Sequence, residues 1–295
     1  MNTIIEQMLK TYDEQLPLDK KNVVKEIMQE MVLCGLSRAG FFKEAAFYGG
    51  TALRIFYGLD RFSEDLDFSL KAKKDDFDLS AFFPVLEKEI AAFGLQVDIS
   101  EKIKNIDSQV QSAFLKGNTK EHLLLFYGDQ ALPGIHAGEK IRIKFEVDTN
   151  PPDHARFEHQ YRLLPSPYEV ALYDAPSLFA GKIHAVLCRA WKNRVKGRDL
   201  YDYVFFLSRK TPVNLAHLRA RLQQSGYLKP EERFTLADLK THLSSRFETI
   251  DYTQAKEDVI PFIRNLNSLQ LWSDDFFKQI TRQLEVSKNP KSLDR

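Results

Sequence analysis

The chain has 295 residues, of which 43% are hydrophobic and 28% charged, a composition typical of a globular protein large enough for two domains. Its 42 basic and 41 acidic residues leave a net charge of +1, so any nucleic-acid binding must rest on a local basic patch. The two cysteines, Cys34 and Cys188, are far apart and favour neither a disulfide nor a zinc site. The amino terminus lacks the order of a signal peptide, and no apolar run is as long as a membrane span. We therefore expect a cytoplasmic protein without membrane contact.

Helices are predicted up to about residue 38, and the stretch that follows at 47–70, FYGGTALRIFYGLDRFSEDLDFSL, is the most informative in the chain. Gly49 and Gly50 are followed by Thr51, and together they are predicted to end a strand and to cap a helix over 52–59. Glycine lets backbone N–H groups approach a phosphate, and a helix start adds positive potential.

A strand with two neighbouring carboxylates is predicted next. Asp65 and Asp67 alternate with the apolar residues of 66–70, so both carboxylates lie on the polar face of one strand. Paired carboxylates repel each other unless a cation lies between them, and hard oxygen ligands suit Mg²⁺ or Mn²⁺. The order of elements favours a triphosphate site. Asp-x-Asp alone would favour the solvated face of an edge strand.

Beyond residue 70 the pattern predicts a helix at 78–93, which Gly94 ends. Three strands are predicted after it, at 95–103, 122–127 and 140–148. The last of these strands carries two more carboxylates on its polar face, Glu146 and Asp148. Arg142 and Lys144 share that face, so ion pairing within the strand is an alternative role for each carboxylate.

From Asp174 onward the pattern becomes helical, which places the domain boundary between 1–170 and 171–295. Asp174 is predicted to cap a helix over 175–191. Lys182 lies among apolar residues of that helix and either snorkels to solvent or points into a cleft. Four further helical segments are predicted at 213–225, 230–247, 254–265 and 273–286.

A concentrated basic patch follows the helix over 175–191, and its members are Arg189, Lys192, Arg194, Lys196 and Arg198. Triphosphate charge, an RNA backbone or solubility would each explain such a patch. Asp199 and Asp202 come directly after it. Their spacing is also that of a helix N-cap with an acidic residue three positions later.

These motifs together resemble a known family. The segments at 49–53, 61–68 and 196–202, with Lys182, are similar to those of the AbiEii/AbiGii group of nucleotidyltransferase-like toxins, in the DNA polymerase β-like nucleotidyltransferase superfamily. The resemblance covers roughly 47–207. It implies an α+β fold in which a nucleotidyltransferase-like amino-terminal domain, a mixed sheet flanked by helices, precedes an all-helical carboxy-terminal domain that completes the active site.

The resemblance implies metal-dependent transfer of a nucleoside monophosphate from a nucleoside triphosphate. Its metal ligands are Asp65, Asp67 and a third carboxylate on a neighbouring strand, for which we favour Glu146, being deeper in its strand, over Asp148. Lys182 and Asp199 complete the set of catalytic residues. The implied nucleotide-binding residues are Gly49, Gly50, Thr51, Ser63, Lys182 and Arg198.

The resemblance also implies the partners of the protein. Its acceptor is RNA such as the 3′ end of tRNA, and its cofactor is Mg²⁺ or Mn²⁺. Its role is that of the toxin of a bacterial toxin–antitoxin or phage-abortive-infection system, with a separate antitoxin protein. Two alternatives use the same fold: a kinase-type phosphotransferase, and a non-catalytic protein that binds nucleotide or RNA.

Overall fold

The computed structural model describes residues 3–12, 20–101, 119–127, 141–189 and 195–288. The chain divides into two compact units. Unit 1 comprises Met1–Gly58, Phe62–Pro151 and Phe157–Leu172, and unit 2 comprises Leu59–Arg61, Pro152–Arg156 and Tyr173–Arg295. Unit 1 combines a sheet with helices, whereas unit 2 is helical. The predicted α+β fold class is confirmed.

Unit 1 is built on a seven-stranded mixed sheet. The strands are β1 Ala45–Tyr48, β2 Leu66–Leu70, β3 Gln96–Glu101, β4 Thr119–Tyr127, β5 Ile141–Asp148, β6 Phe157–Arg162 and β7 Tyr168–Tyr173. Their spatial order is β3-β4-β5-β2-β1-β7-β6. Strand β2 runs antiparallel to β1 and parallel to β5. The predicted carboxylate strand therefore lies in the interior of the sheet, not at its edge.

Phe68 anchors β2 in the core. It is fully buried, and its ring centroid lies 5.0 Å from that of Phe47 and 4.7 Å from that of Phe145. Burying one phenylalanine side chain stabilises a fold by about 1.5–3 kcal/mol. A slip of one residue would bring Asp67 or Ser69 into this position and turn every side chain of the strand to the other face. The aromatic cluster therefore sets the side of the sheet on which Asp67 lies.

The helices of unit 1 are α1 Thr3–Thr11, α2 Lys20–Arg38, α3 Gly49–Tyr57 and α4 Phe83–Ala92. The prediction for α3 is wrong in its limits, because Tyr48 is the N-cap and Thr51 lies inside the first turn. The helix ends at Gly58, which has φ 72°. The predicted end of α4 at Gly94 is confirmed, since that glycine has φ 75°.

The helices of unit 2 are α5 Ala175–Cys188, α6 Gly197–Ser208, α7 Leu215–Gln224, α8 Leu236–Phe247, α9 Tyr252–Val259 and α10 Asp274–Thr281. Asp174 caps α5 as predicted, and its carboxylate accepts a hydrogen bond from the backbone N–H of Ser177 at 2.8 Å. The predicted limit of α5 at residue 191 is wrong, because the helix ends at Cys188 and its C-cap Arg189 is already extended. None of the helices within the described ranges has the length and apolar character of a transmembrane segment.

Candidate active site

Gly49 brings the backbone against the carboxylate of Asp67. It joins β1 to α3 with φ +85°, a conformation that glycine adopts without the cost that a side chain imposes. A Cβ atom added at this position would lie 3.0 Å from both Cβ and Cγ of Asp67, and closer still to its Oδ2. The N-cap Tyr48 provides no side-chain acceptor for the first turn of α3. Backbone N–H donors at a helix start and a carboxylate are thus brought together, as phosphate and metal binding both require.

Thr51 and Gln29 fasten the loop that precedes β2. The hydroxyl of Thr51 donates a hydrogen bond to the backbone carbonyl of Asp65, and Thr51 is fully buried. Nε2 of Gln29 in α2 donates to the backbone carbonyl of Ser63 at 3.1 Å. With the backbone held in this way, the side chain of Asp65 is exposed and that of Asp67 is half-buried. The Thr51 side chain supports the loop, and its predicted nucleotide contact stays a prediction.

Glu146 lies directly beside Asp67 in the sheet. Strands β2 and β5 are parallel, with Asp67 paired to Glu146 and Ser69 paired to Asp148, and neighbouring strands are about 4.8 Å apart. Asp148 lies next to the buried Ser69, and its Oδ1 accepts a hydrogen bond from the N–H of Asn150 at 2.9 Å. The register therefore favours Glu146 as the third carboxylate, an assignment that stays a prediction.

Glu146 also forms an ion pair with Lys144, two residues earlier on β5. This is the pairing that the alternative role of the strand's polar face predicts. The side chains are 33% exposed for Lys144 and 23% exposed for Glu146. Ion pairs so near the surface contribute little to stability, so a ligand can displace the lysine at small cost.

The carboxylates of this region suit a magnesium site of the kind that a nucleotide completes. Within the part of the chain that the structure describes, no three His, Cys, Asp or Glu side chains have the geometry of a preformed metal site. Mg²⁺ is commonly held by one or two carboxylates together with waters and substrate phosphates. The prediction that one strand carries both aspartates is wrong for Asp65, because β2 begins at Leu66. Asp65, at the end of the preceding loop, and Asp67, within β2, still supply that number of ligands. The donor set therefore fits Mg²⁺ or Mn²⁺.

In unit 2, Lys182 belongs to a cluster of ion pairs. Its Nζ lies 2.7 Å from Oδ2 of Asp202 and 4.0 Å from Oδ1 of Asp199. The Lys182 side chain is 14% exposed, and both aspartates are buried. Lys182 of α5 is thus directed towards α6 and does not snorkel into open solvent.

Arg61 belongs to the same cluster, although no sequence pattern predicts a role for it. Its Nε and Nη2 donate to the two carboxylate oxygens of Asp202 at 2.6 and 2.7 Å, and Arg61 is 3% exposed. Burial by itself would raise the pKa of Asp202, but Arg61 and Lys182 outweigh it and hold that pKa below its usual value. Arg61 lies in the segment RFSEDLDF at 61–68, which carries part of the family resemblance, but no pattern in that segment predicts an ion pair with Asp202.

Asp199 is the third residue of α6, and its N-cap is Lys196. The alternative interpretation of Asp199 as a helix cap is therefore wrong. Its Oδ2 accepts a hydrogen bond from Nη1 of Arg189 at 2.6 Å. Asp199 is therefore a buried carboxylate with a basic side chain on each side, Arg189 and Lys182. Its place in the active site stays a prediction.

Arg198 is held by α9 and the residues after it. Its Nε lies 3.5 Å from the carboxylate of Asp258, and its guanidinium carbon lies 4.2 Å from the ring centroid of Phe262. At the adjacent Gly197, an added Cβ would lie 2.6 Å from the carbonyl carbon of Ala255. These contacts show that α6 begins in close packing against α9. Nucleotide binding by Arg198 stays a prediction, and Lys192 and Arg194 lie outside the described residues.

A comparison with protein families accounts for these motifs together. The family model described as nucleotidyl transferase AbiEii toxin, type IV TA system, matches residues 32–279. The chain belongs to the AbiEii family. As a member of this family, the chain is a nucleotidyltransferase related to the toxins of type IV toxin–antitoxin systems, which implies a nucleotide substrate and an antitoxin partner. The resemblance inferred from the sequence is confirmed.

Two solved structures from Helicobacter pylori are similar to this AbiEii-family chain. A candidate nucleotidyltransferase is 18% identical to it with a TM-score of 0.49, and the similarity covers 92% of this chain and 97% of the other. JHP933 is 17% identical with a TM-score of 0.46, covering 90% of this chain and 88% of the other. A comparison with curated proteins gives no match.

Proposed function

We propose that this AbiEii-family chain transfers a nucleoside monophosphate from a nucleoside triphosphate to the 3′ end of tRNA, and that the modified tRNA no longer supports translation. The observation that carries the proposal is the contact of Gly49 with Asp67, together with the pairing of Asp67 and Glu146 in the sheet. It joins backbone donors for phosphate to carboxylates for a metal within unit 1.

The start of α3 supports a phosphate-binding role. Gly49 and Gly50 form the first two residues of the helix, where backbone N–H groups have no acceptor within the helix itself and carry positive potential. Thr51 lies in the first turn of α3 and bonds to the backbone carbonyl of Asp65, and the backbone carbonyl of Ser63 accepts a hydrogen bond from Gln29. We assign the triphosphate to this helix start, and Lys182 and Arg198 stay predicted nucleotide-binding residues.

The carboxylates supply the remaining chemistry. Asp65, Asp67 and Glu146 would hold Mg²⁺ or Mn²⁺, whose positive charge offsets that of the phosphates. The acceptor hydroxyl oxygen forms a bond to the α-phosphorus, the bond from that phosphorus to the bridging β-phosphate oxygen breaks, and pyrophosphate leaves. The hydroxyl proton passes to a carboxylate, for which Glu146 is our choice.

Labelled nucleotides test the reaction. The protein is incubated with total tRNA, Mg²⁺ and each nucleoside triphosphate in turn, labelled with ³²P at either the α- or the γ-phosphate. We expect RNA to take up α-label and no γ-label, with release of pyrophosphate, and we expect the Asp65→Ala protein to be inactive although it folds. Uptake of γ-label would identify a kinase-type phosphotransferase. Binding of triphosphate with no transfer to any RNA would reject the proposed acceptor.

The antitoxin and the location of the protein belong to the same proposal. Family membership implies an antitoxin partner. We propose that it is a separate protein that opposes the toxin without forming a stable complex, and that both act in the cytoplasm, where nucleoside triphosphates and tRNA are found. Co-purification of a stoichiometric complex from cells that produce both proteins would contradict this.

A further inference from the structure

Five charged side chains of unit 2 form one connected cluster, and they are Arg61, Lys182, Arg189, Asp199 and Asp202. Their formal charges sum to +1. Burial is uneven across the cluster, since the Asp202 side chain has 0% exposure and the Arg189 side chain has 52%. The three basic side chains therefore differ in how accessible they are to a ligand from solvent.

Arg61 contacts Asp202 at two points. Two of its N–H groups contact the two oxygens of that carboxylate at 2.6 and 2.7 Å, and this two-point geometry fixes the orientation of both groups. Asp202 has no exposed surface, so its ionised form depends on the cations that surround it. Burial alone would lower the pKa of Arg61, but Asp202 raises it above its usual value.

Lys182 contacts the same carboxylate from α5. Asp202 Oδ2 lies 2.7 Å from Nζ of Lys182, whereas Asp199 at 4.0 Å is beyond hydrogen-bond distance. An ammonium group has three N–H donors, and the contact with Asp202 uses one of them. Within the trio of Arg61, Asp202 and Lys182, the Lys182 side chain is the most exposed. Its exposed fraction is 14%, compared with 3% for Arg61 and 0% for Asp202.

The charge balance of this trio explains why a second cation is needed. Lys182 and Asp202 alone would form a neutral pair, which a polyanion would not attract. Arg61 offsets the carboxylate, so the trio keeps a charge of +1, and that charge lies on the member that reaches the surface. At an effective dielectric constant of about 20, one unit charge within several ångströms changes the binding of an anion by roughly tenfold or more.

We propose that Arg61 is a positioning residue that acts through Asp202, holding Lys182 in place and preserving its net positive charge for the triphosphate. This inference rests on the proposed function in one respect, the assignment of Lys182 to the phosphates. It predicts that removing the charge of Arg61 weakens triphosphate binding and that removing the charge of Asp202 strengthens it. If the Arg61–Asp202 pair were only structural, both changes would act in the same direction.

The affinity for inorganic tripolyphosphate, measured by calorimetric titration in Mg²⁺ buffer, tests the inference. This probe requires no knowledge of the nucleobase or of the acceptor. We expect Arg61→Met to weaken binding roughly tenfold, Arg61→Lys to retain affinity within about twofold because it keeps the charge, and Asp202→Asn to strengthen binding. Arg61→Met should weaken binding much less in the Lys182→Met background, since Arg61 acts mainly through Lys182.

Arg162 supplies a matched control. Its Nε and Nη2 contact the carboxylate of Glu30 at 3.1 and 2.6 Å in unit 1, so Arg162→Met removes a comparable two-point pair and should leave tripolyphosphate binding unchanged. Weaker binding in both Arg61→Lys and Asp202→Asn would overturn the inference, as would an equal loss from Arg61→Met in both backgrounds. If Arg61→Met does not fold, Arg61→Lys and Asp202→Asn decide the question. Unchanged binding in Lys182→Met alone would instead reject the role of Lys182 in the proposed function.

Discussion

Substitution of Gly49 by alanine separates the cost of an unusual backbone from the loss of the carboxylate site. Gly49 has φ +85°, and an added Cβ would meet the side chain of Asp67. Gly94 at the end of α4 has φ +75°, and an added Cβ there would meet nothing within 4 Å. The two glycines belong to the same unit and differ chiefly in what lies beside them.

The structure gives the magnitudes. An alanine in the left-handed region costs about 1–2 kcal/mol, which both Gly49→Ala and Gly94→Ala incur. At Gly49 the new Cβ starts 3.0 Å from Cβ and Cγ of Asp67 and closer still to its Oδ2, so the carboxylate must move by an amount approaching about 1 Å to reach an ordinary van der Waals distance. Such overpacking adds about 1–3 kcal/mol. A displacement approaching 1 Å at a catalytic group lowers the rate by roughly 100-fold.

Urea unfolding and nucleotide transfer, measured on both variants, provide the assay. We expect both to unfold at lower urea concentration than the parent protein, Gly49→Ala more so, and only Gly49→Ala to lose about 100-fold in turnover. Turnover of Gly49→Ala within threefold of that of Gly94→Ala would refute the argument that Gly49 is required for the position of Asp67.

Three further predictions concern other parts of the chain. Glu146→Gln should lower turnover by about 100-fold or more and Asp148→Asn by less than about tenfold, and the reverse order would assign the third carboxylate to the other residue. Gly197→Ala should cost about 1–3 kcal/mol in urea unfolding, because its Cβ would enter the backbone of α9, and unchanged stability would contradict that packing. Burial lowers the pKa of His184 and His217 to about 3, whereas an unfolded histidine has a pKa of about 6.5. The unfolded chain therefore binds more protons, and the free energy of unfolding should fall as pH drops from about 6.5 towards 3, by up to about 1.4 kcal/mol per pH unit for each histidine. The free energy of unfolding of His217→Gln should depend less steeply on pH than that of the parent protein. An equal slope in both proteins would contradict the contribution of His217.

Local patterns in the sequence were enough for much of unit 1. The alternation around Phe68 predicts the strand and places Asp67 on its polar face, because a strand turns successive side chains to opposite sides. It wrongly extends the strand to Asp65, which lies in the loop before β2. Asp174 predicts the start of α5 because capping depends on residues three positions apart. The start of α3 is different. A glycine pair allows both a turn and a helical first turn, so the limits of that helix follow from the surrounding contacts.

The third carboxylate shows the limit of such patterns. Glu146 and Asp148 have the same parity on β5, so alternation alone cannot separate them. The pairing of β2 with β5, which places Glu146 beside Asp67, depends on contacts between segments about 80 residues apart.

The sequence by itself determined the family, the alternation of the strand that carries Asp67 and the presence of Lys182 and Asp199 on helices. Only the tertiary structure decided that Gly49 closes against Asp67 and that Arg61 and Lys182 share Asp202. Arg61 and Asp202 are 141 residues apart. The physical reason is that a helix or strand is specified by neighbours within a few residues, whereas a buried ion pair depends on the packing of distant segments, which leaves no periodic signal in either one.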